Sequence, residues 1–359
     1  MKPPVQLPIA SSVLLWLGIS LLLPASRCWA QPVRAEAPTL DRASHDGIVE
    51  ELASSLRGLY VFADQADAMA EAIESSHREA GYAAIPDAEQ LAAKLTRDLR
   101  SVTDDKHLRV FVLPPEAQRS DEDLKEARRR YEERAWRENF GFRLVQILEG
   151  NVGYLKLDKF ADPAVAGDTA AAAMALLARS EALIIDLREN QGGSPFMVQL
   201  LASYLLPEAP QHLVDQVVRS AEATRQIHSL SWVPGQRMPE IDVFVLTASE
   251  TFSAAEGFTY MLQSMERAKV VGERTAGGAH PVRVVKLGHG LAASIPFARA
   301  VNPITLTNWE GVGITPDVNV PAAEAFGVAY AEALKALIAS SAEDTRRAEL
   351  EGILSGRGQ

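Results

Sequence analysis

The sequence predicts an α/β protein: an open sheet of mixed strands with flanking helices, preceded by a small N-terminal helical domain. Three observations predict it. From Leu40 to Leu99 apolar residues recur at helical spacing, as in "IVEELASSLRGLYVF" and "AEQLAAKLTRDLRSV". From Phe140 onward strand-like runs alternate with helical ones, the order that crossover units on a largely parallel sheet produce. A length of 359 residues with 47% hydrophobic content supplies a sizeable packed core, enough for two domains or one large domain with an attachment.

Each element follows from its own signals. Pro86 and Asp87 open the helix of "AEQLAAKLTRDLRSV". "HLRVFVLPPE" alternates as a short strand, and "DEDLKEARRRYEERAWREN" reads as a charged helix with a solvated face. "FRLVQILEGNVGYLKLDKF" gives two strands around a Gly150 and Asn151 turn, followed by the alanine-rich helix of "DPAVAGDTAAAAMALLARS". Then come the buried strand "ALIIDLR", helical "MVQLLASYLL", extended "HLVDQVVRS", the buried strand "IDVFVLT", helical "SAAEGFTYMLQSM" and extended "AKVVGE". Short strands are expected in "VRVVKLG", "LAASIPF" and "ITLTN", with a last helix from Ala322 to Ile338. The ending "SSAEDTRRAELEGILSGRGQ" is polar and reads as a peripheral tail.

The first thirty residues differ from the rest. Lys2 precedes an apolar stretch from Ile9 through Leu23, then Pro24 and the small-residue ending "SRCWA", the pattern of a secretory signal cleaved before Gln31. The apolar run falls short of the roughly 20 residues that span a bilayer, and Arg27 before Cys28 disfavours lipid attachment, so no stable membrane span is expected after cleavage. The expected location is secreted or periplasmic. The expected boundaries are 1–30 for the signal, 31–105 for the helical domain, 106–339 for the α/β catalytic domain and 340–359 for the tail. Cys28, the single cysteine, leaves with the signal, which excludes structural disulfides and thiol chemistry from the mature chain. Cleavage removes Lys2 and Arg27 and no acid, making the formal charge of -11 two units more negative, a poor balance for binding nucleic acid.

Two stretches carry candidate chemistry. In "TASETFSAAEGFTYM" Ser253 follows a strand by a short turn and opens a helix, at the carboxyl edge where open α/β sheets place their sites. Ser253 and Glu256 also spell a capping box, and spacing alone favours the helix cap over the nucleophile. In "IIDLRENQGGS" Gly192 and Gly193 follow a strand and can turn an N–H toward a bound group, or simply make a tight turn. Asp186 and Arg188 read as a structural pair at the strand end. None of the seven histidines forms a pair at metal-ligand spacing, so neither a metal nor another cofactor is expected.

Four motifs in order, "LIIDLRENQGG", "SETFSAAE", "VVGERTAGGAHP" and "NPITLTNWEGVGITPDV", resemble the tail-specific or C-terminal processing serine peptidase superfamily. The branch they resemble most is that of tricorn core protease and the interphotoreceptor retinoid-binding protein modules. The resemblance implies a crotonase-like or ClpP-like fold and a peptide or protein substrate. It places the nucleophile on Ser253, and a helix cap and a nucleophile are compatible roles. The dyad lysine used by many relatives falls on Gly278 and is missing, and no segment reads as a PDZ domain. The branch instead uses a histidine on an early loop and a late glutamate, which match His107 in "TDDKHLRV" and Glu310 in "NWEGVGITPD", although on the residues alone His107 reads as a surface histidine and Glu310 equally as a carboxylate holding the turn before Gly311. On this reading Ser253 attacks, His107 takes the proton, Glu310 orients the imidazole, and Ala254 with the Gly192 and Gly193 turn binds the oxyanion. His280 and Gly278 are pocket candidates, and Tyr260, Trp309 and Phe297 offer apolar contact or core packing. The rival expectation is an inactive module of the same fold that holds a retinoid or fatty acid.

Overall fold

The computed structural model describes residues 40–113, 129–130 and 132–356. The signal expected at 1–30, Cys28, the segment "PPE" of the first strand run and the first half of the charged helix lie outside the described residues. Of that helix, residues 129–130 and 132–137 are helical.

Three helices come first: α1 (Arg42–Leu59), α2 (Ala63–Arg78) and α3 (Ala88–Arg100). Asp41 and Asp87 cap α1 and α3 by accepting from the N–H of Ser44 and Gln90, as their positions before each helix dictate. The apolar stripes of these helices face Leu287, Leu291, Ala293 and Ile295, so their core is shared with strands far along the chain. Those strands are β9 (Val282–Gly288) and β10 (Leu291–Pro296). With β1 (Arg109–Val112) they form an antiparallel sheet in the order β1-β10-β9.

The main sheet has six strands in the order β12-β8-β7-β4-β3-β2. β2 (Phe142–Leu148) and β3 (Val152–Leu157) form a hairpin through Gly150 at φ 74° and Asn151 at φ 56°. β4 (Ala182–Asp186), β7 (Asp242–Thr247), β8 (Lys269–Gly272) and β12 (Val318–Asn319) add in parallel. The helices α4 (Pro163–Leu177), α5 (Pro195–Tyr204) and α6 (Ala254–Ser264) contribute to the core on one face. α7 (Ala322–Ser340) packs on a separate cluster that includes Val152, Ile184 and Phe244. Alternating strand and helix thus yields a mixed, largely parallel sheet, as the sequence predicts.

Three expectations need correction. "HLVDQVVRS" does not join the main sheet: it forms β5 (His212–Val218), which pairs antiparallel with β6 (Ala223–His228) and β11 (Ala298–Val301). β6, "ATRQIH", is mostly exposed and lacks the apolar pattern that marks a strand. "ITLTN" is a turn, because the Asn302 carboxamide oxygen accepts from the N–H of Ile304 and Thr305 and closes the chain locally. In the stretch expected as a polar tail, α8 (Asp344–Ser355) buries Leu350 against the hairpin turn at Gly150.

Candidate functional site

The site sits at the carboxyl ends of β4 and β7. After Thr247 the chain turns through Thr251, whose hydroxyl donates to Leu187 O at 2.9 Å, and Phe252, whose N–H donates to Asn190 O at 3.1 Å. These bonds tie the turn to the glycine-rich loop after β4. Ser253 then takes φ 57° and ψ -119°, a conformation that costs a residue with a side chain of order 1–3 kcal/mol. It belongs to the capping-box pair with Glu256, whose Oε2 accepts from the Ser253 N–H at 2.9 Å, yet its side chain makes no cap hydrogen bond. Ser253 Oγ lies instead 2.9 Å from Nε2 of His107.

Glu256 organises the surroundings. It is completely buried, and its two oxygens accept from Ser253 N–H, Thr275 Oγ1 (2.5 Å), Gly277 N–H (2.7 Å) and Gly278 N–H (2.8 Å). Burial pushes its carboxyl above the usual range while these donors pull it back. One carboxylate therefore fastens the Ser253 turn to the loop after β8.

His107 reaches Ser253 from the loop before β1. Its ring rests on Phe252, with centroids 4.5 Å apart, and its backbone N–H donates to Asp105 Oδ1 at 3.0 Å. Burial, partly opposed by the Asp105 charge, lowers its pKa to about 4. A Cβ on residue 278 would lie 2.9 Å from His107 Cε1 and overlap the Phe252 ring. A side chain at 278 would collide with this histidine and with Phe252, which accounts for glycine here.

Glu310 makes no hydrogen bond to His107 among the described residues, where the resemblance implies that it orients the imidazole. Its Oε2 accepts from the Ala279 N–H at 2.5 Å and lies 3.5 Å from His280 Nδ1. Its Oε1 and the His107 Nδ1 are buried and, among the described residues, have no hydrogen-bond partner. The loop 275–280 holds Oε2 through a backbone N–H and the His280 imidazole. His280 Nδ1 is in turn 2.9 Å from Asp105 Oδ2, and the Tyr60 hydroxyl lies 3.4 Å from the same oxygen, with Thr103 Oγ1 and Gln65 Oε1 at 3.2 and 3.3 Å. Asp105, His280 and Glu310 bring donor atoms within 4.8 Å of one another, a group whose composition suits a cation. The residues come from three distant segments, so no sequence spacing could reveal them.

The three oxyanion candidates divide. The Gly192 N–H is taken by Asn190 Oδ1 at 2.8 Å and is not available to a ligand, a second correction. Gly192 stays glycine because a Cβ there would sit 2.8 Å from Ser253 Cβ at φ 104°. The N–H groups of Gly193 and Ala254 have no partner among the described residues, and both residues border the same cavity as Ser253. That cavity measures about 500 Å³. Beyond Ser253 and His107 its wall is largely apolar, with Phe196, Leu213, Ile227 and Phe297. His280, Tyr260 and Trp309 also line it, and Trp309 Nε1 donates to Gly278 O at 2.8 Å. Gly278 itself backs His107 rather than lining this wall.

Asp186 and Arg188 form a bidentate pair with contacts of 2.9 and 2.6 Å, joined by the Tyr154 hydroxyl at 2.6 Å. The guanidinium also donates to Ala322 O, so the pair holds α7 to the sheet. A second depression of about 440 Å³, lined by Asp242, Arg267, Lys269 and Glu332, lies at the opposite ends of β7 and β8 and holds no serine or histidine. Sequence reasoning missed Asp105 as a site residue, although it stands two positions before His107. It gave Glu256 only a capping role.

Comparison with known proteins gives a consistent result. Residues 151–320 match the model of peptidase family S41, and residues 37–137 match that of the N-terminal domain of this peptidase in eukaryotic IRBP. A curated relative, carboxyl-terminal-processing peptidase 2 of Arabidopsis thaliana chloroplasts, is 28% identical over 171 residues, 47% of this chain and 32% of the relative. The chain thus spans about a third of that protein's length. Among solved structures, a lipoprotein from Streptococcus agalactiae aligns over 89% of this chain and 100% of its own, with a TM-score of 0.55 at 15% identity. The tricorn protease aligns over 88% of this chain and 37% of its own, with a TM-score of 0.50 at 12% identity. These two likenesses concern the fold.

Proposed function

Because the chain belongs to peptidase family S41, we propose that it is an exported serine peptidase that cleaves peptides or proteins through an acyl-enzyme. The observation that carries this reading is the 2.9 Å approach of His107 Nε2 to Ser253 Oγ beside a cavity. A serine hydroxyl is a weak nucleophile until a base within hydrogen-bond reach can take its proton, and a neutral histidine is such a base.

Ser253 Oγ attacks the carbonyl carbon of the scissile bond as its proton passes to His107 Nε2. The N–H groups of Ala254 and Gly193 receive the charge that develops on the carbonyl oxygen, aided by the positive end of α6. The tetrahedral intermediate collapses, the C–N bond breaks, and the departing amine takes the proton from His107. Water then gives a proton to His107 as its oxygen attacks the acyl carbon, the bond from that carbon to Ser253 Oγ breaks, and Oγ takes the proton back from His107 as the acid leaves. Incubation with a library of peptides of defined sequence tests this. Cleavage by the wild type that is absent in Ser253→Ala is the expected result, and an uncut library would overturn it.

Export rests on the pattern of residues 1–30. N-terminal sequencing of the protein from the culture medium or periplasm should begin at Gln31. A mature chain retaining Lys2 would contradict cleavage.

The apolar wall of the cavity favours a second reading, a module that holds a retinoid or fatty acid. Saturable retinol or fatty-acid fluorescence, with an uncut peptide library, is its signature.

A further inference from the structure

We propose that Arg225 determines specificity: the cleft beside Ser253 takes a stretch of peptide that is apolar except for one acidic side chain, whose carboxylate the Arg225 guanidinium receives. The inference rests on the peptidase reading above and names the class of substrate on which that activity acts.

The charge of the cavity wall is one-sided. Arg225 is its one permanent charge, and among the described residues no aspartate, glutamate or lysine lines it. The chain holds 47 acidic residues against 36 basic ones, so a wall without a single carboxylate runs against the composition. A peptide carrying an acid meets no like charge there, whereas a basic one meets Arg225.

Sheet register aims the guanidinium. Gln216 on β5 is paired with Ala300 on one side and Arg225 on the other, and Val214 is paired with Ile227. Opposed residues of neighbouring strands share a face, as do alternate residues along one strand. These residues therefore lie on one face of the β11-β5-β6 sheet, and all of them line the cavity. The face has an apolar end at Val214 and Ile227 and a polar end at Gln216 and Arg225. Its complement is an apolar segment with a carboxylate beside it.

Other arginines are spent on the fold. Arg219, at the turn between β5 and β6, donates to Tyr60 O and Arg57 O, and Arg267 donates to Leu205 O and Met238 O. Arg225 is exposed and makes no hydrogen bond or ion pair among the described residues. Its planar fork of donors fits a carboxylate through two parallel bonds, and a peptide that displaces water from the cleft strengthens them.

The carboxylate belongs to a side chain rather than to the end of the substrate. A terminal carboxylate is held by a nest of backbone N–H groups, which an extended strand does not form. β6 is the edge strand of its sheet, so no further strand closes the cavity beyond Arg225 and the substrate's backbone can continue past it.

The test uses peptides in which a single Glu, Gln or Lys is moved one position at a time along an otherwise uncharged sequence, each made with a free and with an amidated C-terminus. The full-length chain, Arg225→Gln and Arg225→Glu digest them, with folding monitored by circular dichroism. At one position relative to the scissile bond, Glu should raise kcat/KM about five- to tenfold over Gln, the scale of one charge-assisted hydrogen bond at a partly exposed site. The advantage should be the same in free and amidated peptides and should shrink with added salt. Arg225→Gln should cleave the Glu and Gln peptides alike, and Arg225→Glu should prefer Lys to Glu at that position.

Wild type that cleaves the peptides without distinguishing Glu from Gln overturns the proposal. So does a Glu preference that survives in Arg225→Gln, or an advantage that follows the free C-terminus and disappears on amidation. Should Arg225→Gln fail to fold, Arg225→Glu decides: a reversed preference supports the proposal and an unchanged one overturns it. A folded wild type that cuts none of the peptides refutes the peptidase reading itself, a distinct outcome.

Discussion

Gly278 and His107 compete for one volume: a Cβ on residue 278 would stand 2.9 Å from His107 Cε1 and inside the Phe252 ring. The histidine that adjoins Ser253 therefore requires a residue without a side chain at 278. Gly278→Ala should displace His107 and slow fluorophosphonate labelling by about a hundredfold or more, because a nucleophile without its base loses that much. Melting temperature measured alongside should fall by only a few degrees.

Burial sets the pH dependence. The folded His107 takes up its proton near pH 4, whereas the unfolded chain does so near the ordinary histidine value of about 6.5. The base is thus neutral throughout the physiological range, and labelling should stay flat from pH 7 down to about 5. Stability follows the same shift: between those two values the unfolded state binds the extra proton, so stability falls as pH drops through 6.5 and the decline ends near 4. Chemical denaturation at pH 7 and pH 5 checks the sign, though the net slope includes other groups.

Glu256→Gln replaces a carboxylate that accepts four hydrogen bonds with an amide whose NH₂ faces donors. Urea unfolding should show a loss of about 2–4 kcal/mol, the range for a broken buried network. Labelling should fall with it, since the same oxygens fasten both the Ser253 turn and the Gly278 loop.

Tyr154→Phe provides the contrast. The hydroxyl bonds Asp186 within the strand-end pair and touches nothing that lines the cavity. A stability loss of about 1–2 kcal/mol is expected with an unchanged labelling rate.

Much of this molecule is written in local pattern. The helices from Asp41 to Arg100, the strands around Gly150, and Ser253 at a strand-to-helix turn can all be read from periodicity and caps. What escapes is decided by long-range competition for hydrogen bonds. Glu310 gives one oxygen to Ala279 N–H and His280, partners that no spacing in the sequence reveals. Gly192 offers an N–H that its neighbour Asn190 has already taken. β6 is legible only once β5 is seen to leave the main sheet and pair with it. Asp105 escapes because its partners, Tyr60 and His280, come from opposite ends of the chain.

The central claim is that Ser253 is a nucleophile activated by His107. Stoichiometric fluorophosphonate labelling, with the modified residue located by mass spectrometry, tests it most directly. One label per chain on Ser253 is expected, abolished in Ser253→Ala and at least about a hundredfold slower in His107→Ala. A folded wild type that takes up no label, or a His107→Ala variant that labels as fast as wild type, would contradict it.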